Sequence, residues 1–144
     1  MSDLYEDDVV LWSEQQARLL RRRAAGELVN ETEVDWPNIA EEIESVGNEQ
    51  RFAVESLLVQ GLCHWLKAEA WPECRDAPTW RADSRRFLGD AAARFVPSMR
   101  QRVDLARIWR RVLRAMPETI DGMPAPVPPA ECPFSLDELL NEGV

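Results

Sequence analysis

Ten prolines divide this chain into stretches that share one kind of order. Pro37, Pro72, Pro78, Pro97 and Pro117 stand where apolar helical patterns begin or end. Pro124, Pro126, Pro128, Pro129 and Pro133 crowd one late segment. Proline lacks an amide hydrogen and its ring clashes with the preceding turn, so it punctuates helices and does not lie within them. Between these marks apolar residues recur at helical spacing. No sustained period-two run rich in β-branched and aromatic residues occurs, which argues against strands. The expectation is an all-α chain: an antiparallel four-helix-bundle-like single domain over 1–144, its core bundle at about 7–116, with a proline-rich C-terminal strap and a short last helix over 117–144.

The first helix is expected from about Asp7 or Asp8 to Ala25, burying Val9, Trp12, Leu19 and Leu20. Gly26 ends it after Arg21, Arg22 and Arg23, where the helix dipole favours cations. The second is long. Asp35 is its expected N-cap and Pro37 stands in its first turn, where a missing N–H costs nothing. At 100° per residue Ile39, Ile43, Val46, Leu57, Gly61 and His64 share one stripe. The stripe is narrow and edged by Glu42, Glu44 and Glu49 at first, then widens from Leu57 to Leu66, so the first half is read as surface and the second as core. Gly61 on the buried stripe would admit a neighbouring helix closely. A third helix is expected from Thr79, turning Trp80, Phe87, Leu88, Ala91 and Phe95 inward. A fourth opens on the capping-box pattern Ser98-Met99-Arg100-Gln101, with Val103, Ala106, Trp109, Leu113 and Met116 inward. Residues 117–133 are read as an extended strap, and Ser135-Leu136-Asp137-Glu138 as the cap of a last helix carrying Leu139 and Leu140.

A length of 144 residues suffices for one domain, and 45% hydrophobic residues with six tryptophans argue against disorder. The acidic start, Asp3 to Asp8, is unlike a secretory signal, and the most apolar stretch, 52–66, is interrupted by Glu55, Gln60 and His64. A cytoplasmic protein is therefore expected. Cys63, Cys74 and Cys132 have no regular spacing and read as free thiols of a reducing compartment. The net charge of −9 is divided unevenly. Residues 1–74 hold 16 acids against 6 bases, 75–116 hold 11 bases against 4 acids, and 117–144 hold 6 acids and no base.

Four segments carry a family resemblance. They are Leu4-Tyr5 through Trp12 with Gln16-Ala17-Arg18-Leu19-Leu20; Ile39-Ala40-Glu41-Glu42-Ile43-Glu44 followed by Gly47; His64-Trp65-Leu66-Lys67 running into Pro72 and Arg75; and Cys132-Pro133-Phe134-Ser135. In this order and spacing the chain resembles the bacterial domain-of-unknown-function family 29 over nearly its whole length. The resemblance implies an all-helical fold and no activity or functional residue. The chain departs from the pattern at Ala68, where an aromatic would follow the lysine.

Standard chemistries fail on spacing. A carboxylate-bridged metal site in a bundle needs Glu-x-x-His pairs, but the single histidine, His64, has no glutamate three residues before it. Glu44 and His64 lie twenty residues apart, about 30 Å along one helix. Glu55 points nearly opposite. Zinc would need Cys63, Cys74, Cys132 and His64, yet no Cys-x-x-Cys is present and Cys63 and His64 diverge by about 100°. A Cys–His nucleophile fails for the same reason. The glutamates are read as a solvated face and His64 as a hydrogen-bonded core residue. No catalytic residue, metal or cofactor is assigned, and the balance leans against an enzyme.

The favoured function is a non-catalytic helical protein-interaction module, with a nucleic-acid-associated factor using Arg-rich helices three and four as the alternative. The candidate partner surface is Arg81, Arg85, Arg110, Arg114, Trp36 and Trp71, the two tryptophans being placed at helix ends along a surface groove. If any pocket forms, its candidates are Glu41, Glu44, His64 and Arg75. Acidic helices one and two disfavour nucleic acid, because they can neutralise the basic patch. A membrane is not expected, and self-association is left open.

Overall fold

Helices dominate the computed structural model, which describes residues 3–141. Their order is α1 (Leu4–Asp7), α2 (Val9–Ala24), α3 (Trp36–Ala70), α4 (Ala77–Arg94), α5 (Leu105–Ala115) and α6 (Leu136–Asn141), with a two-residue strand pair, β1 (Thr119–Ile120) and β2 (Met123–Pro124), before α6. The chain divides into two compact units, Met1–Asn48 and Glu49–Val144. Helix α3 contributes to both and runs unbroken past Gly47.

In the first unit Asp8 caps α2, its carboxylate accepting the Leu11 amide at 3.0 Å. The helix ends in a Schellman motif: the Glu27 amide bonds the Arg22 carbonyl and the Gly26 amide bonds that of Arg23, with Gly26 at φ +85°. Asp35 caps α3: its Oδ1 accepts the Asn38 backbone amide at 3.5 Å, and its Oδ2 accepts from the Asn38 side chain at 2.8 Å. Trp12, Val34 and Ile39 are the buried apolar residues, with Leu4, Tyr5, Leu19, Leu20 and Val29 packed around them. Val9, expected inside, is 49% exposed. The turn between α1 and α2 places it at the start of its helix, away from that small core.

The second unit holds the larger core. Val54, Leu58, Leu62 and Leu66 of α3 pack with Leu88 and Ala91 of α4, Ile108, Trp109 and Val112 of α5, and Leu139 of α6. The widening apolar arc of α3 has this origin. Gly61 sits where α4 comes closest: a Cβ there would stand 2.7 Å from Cγ and Cδ2 of Leu88. Beside it the Ser84 hydroxyl donates to the Gly61 carbonyl at 2.8 Å. Gly61→Ala gains up to about 1 kcal/mol of helix propensity but overpacks a filled core, at about 1–3 kcal/mol. A net loss on denaturant titration is expected, reduced when Leu88→Ala makes room.

Three sequence expectations shift here. Helix α4 starts at Ala77, ahead of Thr79. The expected fourth helix is broken: Pro97–Gln101 form a 3₁₀ turn, and α5 begins at Leu105 because Asp104 accepts the Ala106 and Arg107 amides. Met99 and Val103, both buried, hold the turn inward, so the Ser98 capping pattern caps nothing. Ala106 is consequently exposed, while Ile108 and Val112 take the inward positions. Third, residues 117–135 contain no helix but do contain β1–β2, with Thr119 opposite Pro124 and Ile120 opposite Met123. Asp121 and Gly122, at φ +52° and +76°, form the two-residue turn that such a short hairpin requires. The Ser135 capping box forms as expected: the Glu138 amide donates to Ser135 Oγ at 3.1 Å and the Ser135 amide to Glu138 Oε1 at 3.2 Å.

Candidate functional site

The first unit concentrates polar groups around an apolar trough. The Trp12 indole donates to Asp35 Oδ2 at 2.9 Å. Gln16, buried beside it, donates to the Glu33 carbonyl at 3.0 Å and accepts the Asp35 amide at 2.8 Å. The Tyr5 hydroxyl donates to Glu42 Oε1 at 2.6 Å, and its ring meets Trp12 edge-on at 4.8 Å. These bonds fix α2 against the start of α3. Between them runs a shallow trough of about 280 Å³, lined mainly by Trp12, Ala17, Leu20, Ile39, Ile43 and Val46, with Glu42 on its edge. Ile43 is 68% exposed and Val46 63%. The unit that carries the trough is acidic: 1–48 hold twelve acids and four arginines, a net charge of −8.

Electrostatics sharpen two of these groups. Hydrogen bonds from Asn38, then from Trp12, hold the Asp35 carboxyl below its usual range. The Glu42 hydrogen bond and charge push the Tyr5 phenol up to about 12. Because Tyr5 is the single tyrosine, absorbance of tyrosinate should show one transition near that value, falling toward about 10, the ordinary value, in Glu42→Ala. The sign follows from linkage: the bond contributes stability below the unfolded pKa of about 10 and loses it as pH rises through the folded one.

The sequence-selected residues are distributed over both units. Glu41 and Glu44 are exposed on the first unit. His64 and Arg75 belong to the second, where Arg75 is exposed and without a carboxylate partner among the described residues. Arg81 is engaged internally, bonding Glu69 at 3.0 Å and the Ala68 carbonyl at 3.3 Å. Arg85, Arg110 and Arg114 are exposed. Trp36 is 46% exposed with the Arg23 guanidinium 5.4 Å from its ring. Trp71, expected on a surface groove, is buried; its indole donates to the Met123 carbonyl at 3.1 Å and thereby pins the hairpin. Glu55 corrects the solvated-face reading: it is buried, with Arg51 at 3.7 Å one turn earlier.

Nucleophilic chemistry finds no footing in these positions. His64 Nδ1 stands 3.0 Å from the Gln60 carbonyl and Nε2 3.8 Å from Asp83, with the ring half-buried against Phe87. Burial pushes the Cys63 and Cys132 thiols up, opposite to what a reactive thiolate needs. Among the described residues no three His, Cys, Asp or Glu side chains converge as metal ligands.

The model of the domain of unknown function DUF29 matches residues 4–144. The chain belongs to the DUF29 family. No curated protein matches it. Among solved structures, this DUF29 chain is similar to an alpha-helical protein of unknown function from Rhodospirillum rubrum, at 29% identity and a TM-score of 0.68, covering 99% of this chain and 92% of that one. The neighbour is helical, as this chain is, and both family and neighbour are described as of unknown function. No helix of this DUF29 chain is long and apolar enough to cross a membrane among the described residues.

The hairpin and the trough both lie outside what the sequence pattern indicates. Asp121-Gly122 is a recognised two-residue hairpin signal, but the strands it joins are too short to show alternation. The trough had its signal in Ile43 and Val46, apolar residues on a helix half already read as surface.

Proposed function

We propose that this chain is a non-catalytic helical protein-interaction module whose first unit receives an amphipathic helix flanked by lysine or arginine. The observation that carries the reading is the trough between α2 and α3, with Ile43 and Val46 largely exposed on a unit of net charge −8. An apolar trough between two helices suits the helix-in-groove mode of recognition, in which residues at i, i+3, i+4 and i+7 anchor the partner. The charge of that unit selects a basic partner and speeds its encounter. It also repels nucleic acid. A second copy of the chain is a poor occupant: its basic helices α4 and α5 already spend their apolar residues Leu88, Ala91, Ile108, Trp109 and Val112 on their own core. The exposed Arg85, Arg110 and Arg114 keep a supporting role, as a second contact surface for acidic parts of the partner.

Amide chemical shifts recorded while a leucine–lysine amphipathic peptide is added test this. Shifts clustered at Trp12, Leu20, Ile43 and Val46 are expected. Shifts centred on α5, or none, would refute the reading.

A further inference from the structure

The proline-rich segment of the second unit roofs a second cavity, which involves none of the trough residues. Its floor is Trp65, Leu66 and Ala70 of α3 with Met116 after α5; its roof is residues 125–129; and Glu69 stands at its edge. The space measures about 280 Å³, about twice the 150 Å³ apolar cavity that stays dry and takes benzene.

Physical constraints keep this space open. The roof is fastened on both sides: the Trp71 indole holds the Met123 carbonyl at 3.1 Å, the Ala125 amide bonds the Glu118 carbonyl at 2.8 Å, and the Trp109 indole holds the Pro129 carbonyl at 3.0 Å. Between these ties Pro126 and Pro128 have no amide hydrogen to offer, nor has Pro129 at the last of them, and their rings fix φ. Such a segment is a stiff spacer that does not sag into a void. Val127 is 96% exposed and so does little to fill it. Trp65 is held edge-on to Phe134 at 4.8 Å, which fixes one wall.

We infer that this cavity is a binding site for a small, flat, bicyclic aromatic molecule carrying one hydrogen-bond donor, of the indole class. Its volume fits two fused rings. Trp65 offers an aromatic wall and the prolines offer C–H edges, surfaces that pair with an aromatic ring. The polar element is Glu69: Arg81 bonds its Oε1, and Oε2 is the acceptor that meets the ligand's N–H or O–H. A hydrogen bond to a charged acceptor in partly apolar surroundings supplies orientation as well as affinity.

Calorimetric titration with indole and with 1-methylindole, which keeps the rings and lacks the donor, tests the site. Saturable one-to-one binding of indole is expected, about tenfold tighter than 1-methylindole. Glu69→Ala should remove that preference and leave 1-methylindole binding unchanged, while Ala70→Phe should fill the cavity and abolish both. Glu69 is an exposed side chain, so its variant stays informative if Ala70→Phe fails to fold. Absent saturation, equal binding of the two probes, or tighter binding of 1-hexanol than of indole would each overturn the assignment.

Discussion

Trp109→Ala should destabilise the second unit by about 3–5 kcal/mol, the range for emptying a large buried aromatic site. Trp109 is almost completely buried among Ile108, Val112, Leu88 and Leu139, and its indole is also the tie that holds Pro129. The substitution therefore removes core volume and one end of the roof together. Denaturant unfolding followed by circular dichroism measures the first loss. Trp109→Phe separates the second: most of the volume stays, about 1 kcal/mol of hydrogen bonding goes, and indole binding weakens because the roof loses its far anchor. A Trp109→Ala variant as stable as the parent would show that this core does not hold the unit together.

Trp12→Ala is expected to have the largest effect on the first unit. Among the described residues that unit has three buried apolar residues, Trp12, Val34 and Ile39, so losing about 3–5 kcal/mol removes most of what orders α2. Amide hydrogen exchange should become unprotected throughout α2 while α4 and α5 keep their protection. Trp12→Phe isolates the bond to Asp35 Oδ2. Asp35 has a folded pKa below its ordinary value, so its contribution is present above about pH 4 and is lost as pH falls through the folded pKa. With the indole gone the depression shrinks, and acid loss of α2 protection should begin at a higher pH than in the parent.

Local signals proved legible wherever one residue type has one physical solution. Gly26 closing α2, Asp35 opening α3, the close approach at Gly61 and the Ser135 box all follow from cap geometry or from the missing side chain. The expected fourth helix failed because two caps competed. Ser98 matched a motif, but Met99 and Val103 gain burial by turning inward, and Asp104 then caps α5. Tertiary packing decided between them, and no local pattern encodes that. Trp71 failed similarly: a tryptophan at a helix end looks accessible until the hairpin lies over it. For the candidate surface, the surface half of α3 was readable from its narrow apolar stripe, whereas the partner wall came from α2 at a separation along the chain that no periodicity reports. The apolar cavity was illegible for a further reason. It is a space that proline stiffness leaves unfilled, and a sequence records residues, not gaps.

Whether the trough of the acidic unit takes the apolar side of a basic helix is read from the affinity of a fluorescent leucine–lysine amphipathic peptide for the parent chain and for Ile43→Asp. Ile43 is exposed, so the fold should survive, and the substitution makes an already acidic unit more acidic. Attraction by charge alone would therefore strengthen, whereas insertion into the trough would lose its central anchor. Binding at least about tenfold weaker is expected, corresponding to burial of one large apolar side chain. Unchanged or tighter binding by Ile43→Asp would contradict it.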